Sequence, residues 1–215
     1  MITKALIYKV QDYRESSKLL FVLTPQGKYT LVGKGVKNYK NPYHHLADYL
    51  NLIELDLTAD KSIQTLKGAK LIASFDEIKA NYEDLKTISY LTKVIDDVIV
   101  NDDILTRFFD LIIKLLEFEN KKIAYLTFLI KLTYALGLRM SFNKPNIVGF
   151  NIKTGQVVNK GENLKIDLQL KATVHLQIIY YSLEEQKLEP EIQNQLFSFI
   201  KAYYNYHLDY KIKQF

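Results

Sequence analysis

The sequence predicts an α+β protein: a small five-stranded β barrel over residues 1–75, followed by a helical domain over residues 76–215 with a loop insert. Three observations carry this. Five short strand-like runs precede residue 74 with no long helix between them, which excludes the crossovers of a parallel sheet. At Ser74 the apolar period changes from two to three-and-four. After Lys144-Pro145-Asn146 an irregular stretch interrupts the helical pattern.

Ala5 to Val10 alternates and begins the barrel. Lys18 to Thr24 is mostly apolar, and Thr24-Pro25-Gln26-Gly27 places Pro and Gly where a type I turn wants them. Lys28 to Val36 follows as the hairpin partner. It contains Gly33 and Gly35, and glycines within a strand mark a bulge or a sharp bend. Leu50 to Leu57 sets Ile53, Leu55 and Leu57 on one face and Glu54 and Asp56 on the other. Ser62 to Ala73 is the fifth run.

Ser74-Phe75-Asp76-Glu77 fits a capping box with Ser74 as N-cap. A helix through Leu85, Ile88, Leu91, Ile95 and Ile99 follows. Asn101-Asp102-Asp103 breaks that run and caps a second helix carrying Leu105, Phe108, Phe109, Ile112, Leu115 and Leu116. A third, about 123–136, stops at Gly137, a C-terminal cap residue. The spacing then predicts a hairpin at Lys153-Thr154-Gly155, a helix over about 168–183, and a last helix from Pro190 towards Tyr206.

With 215 residues the chain can bury one or two cores. No apolar run approaches the roughly 20 residues of a membrane helix, and MITKALIYKV is not a signal-peptide block, so a cytoplasmic protein is expected. The absence of cysteine excludes disulfides, thiolate metal sites and cysteine nucleophiles. The whole net charge of +5 lies in residues 1–50, which hold eight basic and three acidic side chains. Such a concentration is what a polyanion footprint looks like. An uneven soluble surface weighs equally on charge alone.

Catalytic signatures are missing. Gly33-Lys34-Gly35 lacks the spacing of a phosphate-binding P-loop. His44 and His45, adjacent in sequence, point to opposite sides of an extended chain, and neither they nor His175 and His207 form an HxxxH or HExxH pattern, so no metal site is expected. Asp96-Asp97 and Asp102-Asp103 sit near helix ends, where capping explains them. No GxSxG elbow occurs. The chain is therefore read as a non-enzyme without cofactors.

A binding module fits better. Small five-stranded barrels bind oligonucleotides on a strand face and its loops, using cations for phosphates and flat rings for bases. Arg14, Lys34, Lys37 and Lys40 supply the cations. Tyr39 and Tyr43, with Tyr13, are interleaved among them as stacking surfaces, although tyrosine is common throughout this chain and some of these rings pack on the barrel instead.

The order of these parts resembles the RecO family of bacterial recombination mediators. The resemblance is carried by ALIYKVQDYRESSKLLFVLTPQGKYTLVGKGVKN, by Leu52 to Leu57, by Leu71-Ile72-Ala73-Ser74-Phe75 and Ser89-Tyr90-Leu91, by FLIKLTYALGL, and by Tyr206-His207-Leu208. It implies an oligonucleotide-binding (OB) barrel plus a helical domain, without catalytic turnover. It further implies binding of single- and double-stranded DNA, strand annealing and, with RecR, loading of RecA onto strands coated by single-stranded DNA-binding protein (SSB). The acidic, hydrophobic-ended tail of SSB would meet the helical part. Lys131 stands where the family helix often carries Arg and is expected, with Arg139, to meet the tail's carboxylates, the alternative being a plain surface lysine. An RNA-binding barrel protein and a pure protein adaptor are the rival classes.

One departure matters. Many family members carry a four-cysteine zinc site after the leucine-glycine helix. Here the first pair would fall near Asn143 and Asn146, and asparagine is a poor zinc ligand. The loop, about 141–165, is expected to be held by Phe142, Ile147, Val148, Phe150 and Val157 instead.

Overall fold

In a computed structural model the chain is described over residues 1–58, 62–99 and 102–214. It forms two compact units. One comprises residues 1–85 and 92–114; the other comprises residues 86–91 and 115–215.

The first unit is built on a six-stranded sheet: β1 (Ile2–Tyr13), β2 (Ser17–Thr24), β3 (Gly27–Gly33), β4 (Leu52–Asp56), β5 (Ile63–Thr65) and β6 (Lys70–Ala73). Their spatial order is β5-β3-β2-β1-β4-β6. The edge strands β5 and β6 are consecutive in the chain, joined by residues 66–69 alone. Five residue steps reach at most ~17 Å, whereas a flat six-stranded sheet separates its edges by about 24 Å. The sheet must therefore curl into an OB-type barrel. Its interior holds Ala5 and Ile7 of β1, Leu20 and Val22 of β2, Leu31 of β3, and Ile53 and Leu55 of β4. Leu57 joins them just beyond β4, which is the face the sequence alternation assigned.

The expected fifth run is divided in two. Gly68, at φ +64°, turns the chain between the halves. β5 joins β3 in parallel, so the sheet is mixed rather than wholly antiparallel. Gly33 ends β3 in regular register with Lys18 rather than bulging it, and a Cβ there would meet Val36 Cγ2 at 2.9 Å. Gly35, at φ +66°, then turns the chain out of the sheet.

After the barrel come α1 (Asp76–Ala80), α2 (Tyr82–Val98) and α3 (Asp102–Leu116). The capping box at Ser74 does not form. Phe75 is the N-cap of α1, in the left-handed region and without a side-chain bond, while Ser74 Oγ donates to the Asp76 carboxylate. The effective cap lies at Asn81, whose side chain accepts from the Glu83 and Asp84 amides and starts α2. Lys28 donates to the Ile95 and Ile99 carbonyls at 2.6 and 2.8 Å, a cation at the helix C-terminus where the dipole favours it. Asp96 accepts from Lys9 and Tyr8 on β1, and Asp97 pairs with Lys93 one turn back. The cap role expected of Asn101 with Asp102 and Asp103 lies outside the described residues and side chains.

The second unit contains α4 (Lys121–Ala135), the strands β7 (Ile147–Asn151), β8 (Gln156–Asn159) and β9 (Leu168–Gln169), then α5 (Leu170–Tyr181) and α6 (Pro190–Leu208). α4 is capped by Asn120 and closes at Leu136 before Gly137, at φ +79°. The anticipated hairpin is β7–β8, and β9 adds on the far edge of β7. Phe142, Phe150 and Val157 of the loop insert are buried, while Ile147 and Val148 are half-buried.

Candidate nucleic-acid interface

The stretch 33–51 leads from β3 to β4 and packs against the barrel core. It proceeds as successive tight bends, with the Asn38 amide donating to Gly35 O, Asn41 to Asn38 O and His44 to Asn41 O. Val36, Leu46 and Ala47 are its anchors, each almost fully buried in the barrel core. Asn41 organises what remains. Its Nδ2 donates to Lys34 O at 2.9 Å, and its Oδ1 accepts from the Tyr43 amide at 2.9 Å. The Lys34 backbone is thus tied down while its side chain lies in solvent. His44, exposed, is engaged with the Val36 carbonyl through Nδ1 at 2.7 Å, which ties down the loop backbone.

The β1–β2 hairpin tip adjoins this loop. The Lys37 amide donates to Ser16 O at 3.0 Å and the Gly35 amide to Ser17 Oγ at 3.2 Å. The barrel rim therefore combines residues 12–17 with residues 33–45. Arg14, Lys34 and Lys40 are exposed there. Arg14 lies over the Tyr13 ring at 5.1 Å and Lys40 over the Tyr39 ring at 5.8 Å. Such contacts hold long side chains against flat rings at about 0.5–1 kcal/mol each. Tyr39 is 77% exposed, which leaves most of its ring free.

Two of the sequence-predicted residues behave differently. Lys37 is ion-paired with Asp12, Nζ to Oδ2, at 3.0 Å. Tyr43 is turned inward: its ring packs on the barrel core and its hydroxyl accepts from the Gly68 amide at 2.9 Å. It braces the loop against the β5–β6 connection, half-buried where Tyr39 is open. Lys79, missed in the sequence, supports the far end of the loop by reaching Asp48 and Asn51.

The other two predicted residues lie in the second unit. Lys131 of α4 donates to Tyr180 O at 2.8 Å, at the last turn of α5, and burial pushes its ammonium below the usual lysine range. Arg139 lies over the Tyr134 ring at 5.2 Å, and Tyr134 meets Tyr180 edge-on. The two cations are thus linked through a tyrosine pair, beside a helix that leaves Leu170, Val174, Ile178 and Tyr181 exposed. The apolar stripe was not singled out in the sequence, although its spacing of four, four and three was the readable signal.

The loop insert has no metal-binding set. The chain lacks cysteine, and among the described residues no three His, Asp or Glu converge. The residues present do not fit a zinc ion. A polar clamp stands there instead. Asp167 is buried to 10% exposure and accepts from the Ile152 amide (2.8 Å), Asn151 Nδ2 (3.2 Å) and Lys165 Nζ (2.7 Å). Asn151 adds bonds to Lys165 O and from the Thr154 amide and hydroxyl, and His207 of α6 engages Ile152 O at 2.9 Å.

Comparison with known proteins places this architecture. Residues 1–75 match the family described as recombination protein O N terminal. Proteins named DNA repair protein RecO are similar over longer stretches. That of Clostridium novyi is 29% identical over 70% of this chain and 61% of its own length. That of Clostridium perfringens is 35% identical over 42% of this chain and 37% of its own. The Desulforamulus reducens protein is 23% identical over 97% of this chain and 90% of its own. The chain thus spans about three-fifths or less of the first two relatives, and nearly all of the third. These matches bear out the resemblance read from the sequence, with an N-terminal domain of the recombination protein O family.

Proposed function

We propose that this chain, carrying a recombination protein O N-terminal domain, acts in DNA repair and recombination as a non-catalytic mediator. In this reading it binds single- and double-stranded DNA at the barrel rim and promotes annealing of complementary strands in the cytoplasm. The observation that carries it is the rim itself: Arg14, Lys34 and Lys40 exposed beside the open ring of Tyr39, on a loop pinned to the barrel core. Neutralised phosphates release counterions and let two like-charged strands approach. Contacts to backbone and ring faces are indifferent to sequence, so strands slide into register. Neither step needs a nucleotide or a metal.

The proteins it resembles are named for DNA repair, which supports the same reading. The family resemblance extends it: with RecR the protein would help load RecA onto SSB-coated strands. Lys131 and Arg139, beside the exposed Ile178 and Tyr181, match an acidic peptide that ends in a hydrophobic residue, as the SSB tail does. An annealing assay with complementary oligonucleotides tests the proposal. Acceleration without ATP or divalent metal, and weaker with RNA than with DNA, is expected. Equal preference for RNA would favour an RNA-binding barrel, and no acceleration and no binding would leave a protein adaptor.

A further inference from the structure

The second unit carries a groove that the rim does not explain. Three contiguous hollows, of about 550, 420 and 400 Å³, run along α6 and share Ala202. Together they extend from Glu191 to Asn205, about 21 Å at 1.5 Å per residue. Ala202 and Asn205 form a low saddle between two of the hollows, where a larger side chain would divide them.

The chemistry of this groove is uneven along its length. Towards the start of α6 it is hydrogen-bonding, with Asn194, Gln195 and Ser198, and carries two carboxylates: Asp167, paired with Lys165, and the exposed Glu191, which accepts from Gln195 Nε2 at 3.2 Å. Towards the end it is basic. Lys201 and Lys211 line one side of the saddle; Lys153 and Lys165 line the other, where the β7–β8 turn forms the wall. Lys165 is committed to Asp167, which leaves Lys153, Lys201 and Lys211, all exposed, as cations facing the groove. Tyr206 stands among them, 54% exposed, its ring held edge-on by His207 at 4.9 Å. The turn that carries Lys153 is fixed to α6 through the His207–Ile152 bond.

We infer that this groove is a second polynucleotide surface, which takes a single strand with Lys153, Lys201 and Lys211 on phosphates and Tyr206 stacked on a base. Cations tracking a backbone beside an exposed ring are what sequence-tolerant single-strand binding requires. The amide and hydroxyl floor suits base edges, which only an unpaired strand presents freely. An acidic peptide would use the lysines but, unlike a single strand, does not of itself bring a flat ring to stack on Tyr206. The inference rests on the proposed annealing function and deepens it: a protein that pairs two strands gains from a separate footing on each of its units.

The test uses the full chain. A rim variant, Arg14, Lys34, Lys40→Ala, is compared with a groove variant, Lys153, Lys201, Lys211→Ala, with Ala202→Glu, which blocks the saddle, and with both triple sets combined. Binding of a short oligothymidylate carrying photoreactive bases is followed across a salt titration, and crosslinked peptides are mapped. The rim variant should retain binding with a log–log salt slope of about −2, three contacts at roughly −0.7 each. It should crosslink at the α6 peptide containing Tyr206, and the combined variant should lose that residue of binding. The groove variant and Ala202→Glu should anneal more slowly while keeping the rim crosslinks. If the groove variants bind, crosslink and anneal like the native chain, the groove inference is overturned and the rim reading stands. Displacement of the α6 crosslink by polyglutamate but not by unlabelled oligonucleotide would overturn it in favour of an acidic protein partner. Absence of all strand binding by the native chain would remove both.

Discussion

Lys37 reaches across the barrel rim to Asp12, Nζ to Oδ2 at 3.0 Å, and so one of the rim's cations already holds a carboxylate. Asp12 is 77% exposed, and an exposed pair of this kind is worth about 0.2–1 kcal/mol. A phosphate can displace it at little cost. Replacing Asp12 by Asn should therefore tighten single-strand binding and steepen the salt slope by about 0.7, one added phosphate contact, with the melting temperature nearly unchanged. Salt titrations of the variant and the native chain check this.

The two tyrosines of the loop separate cleanly. Tyr39→Ala removes an open stacking surface and should weaken single-strand affinity by about 1–3 kcal/mol, roughly 5- to 150-fold, without loss of stability. Tyr43→Ala instead removes packing on the barrel core and the bond to the Gly68 amide. It should lower the melting temperature. Binding isotherms paired with thermal melts of both variants give the comparison.

Both outcomes mark the limit of what the residues alone disclose. The barrel was legible because alternation places Ile53, Leu55 and Leu57 on one face, and the rim lysines were legible as a local excess of charge. Which cations stay unpaired was not, since Asp12 and Lys37 are 25 positions apart and meet only through the β1–β2 register and the loop's return. The inward turn of Tyr43 depends on Gly68, also distant in sequence. The expected capping box failed because Ser74 found Asp76 and left Asn81 to begin the longer helix. The division of the last barrel run turned on one glycine at positive φ.

The residues of the loop insert do not fit the zinc ion that the family resemblance implies, so this unit should be indifferent to chelators. Asp167→Ala deletes a buried carboxylate with three donors. It should cost about 2–3 kcal/mol, the scale of hydrogen bonds to charged groups. Thermal melts with and without a chelator should overlay for the native chain, and the variant should melt several degrees lower.

Alkaline stability follows from the buried phenols. Burial pushes Tyr49 and Tyr203 up to about 12 from 10.0, and pushes Tyr204 well above the ordinary tyrosine range as well. Each holds its proton more tightly folded than unfolded, so its contribution is complete below pH 10 and is lost as pH rises towards 12. Phenolate absorbance and circular dichroism recorded together should show these tyrosines ionising only as the fold is lost. Their early titration with the fold intact would contradict the assignment.

The central claim is that the barrel rim grips a polynucleotide backbone. Its most direct measurement is single-stranded DNA binding across a salt titration, native chain beside a Lys34, Lys37, Lys40→Ala variant. The native chain should bind with a steep slope, and the variant should be shallower by between about 1.4, two contacts with Lys37 held by Asp12, and about 2.1, three contacts. Identical slopes for the two proteins, or no binding by either at low salt, would contradict it.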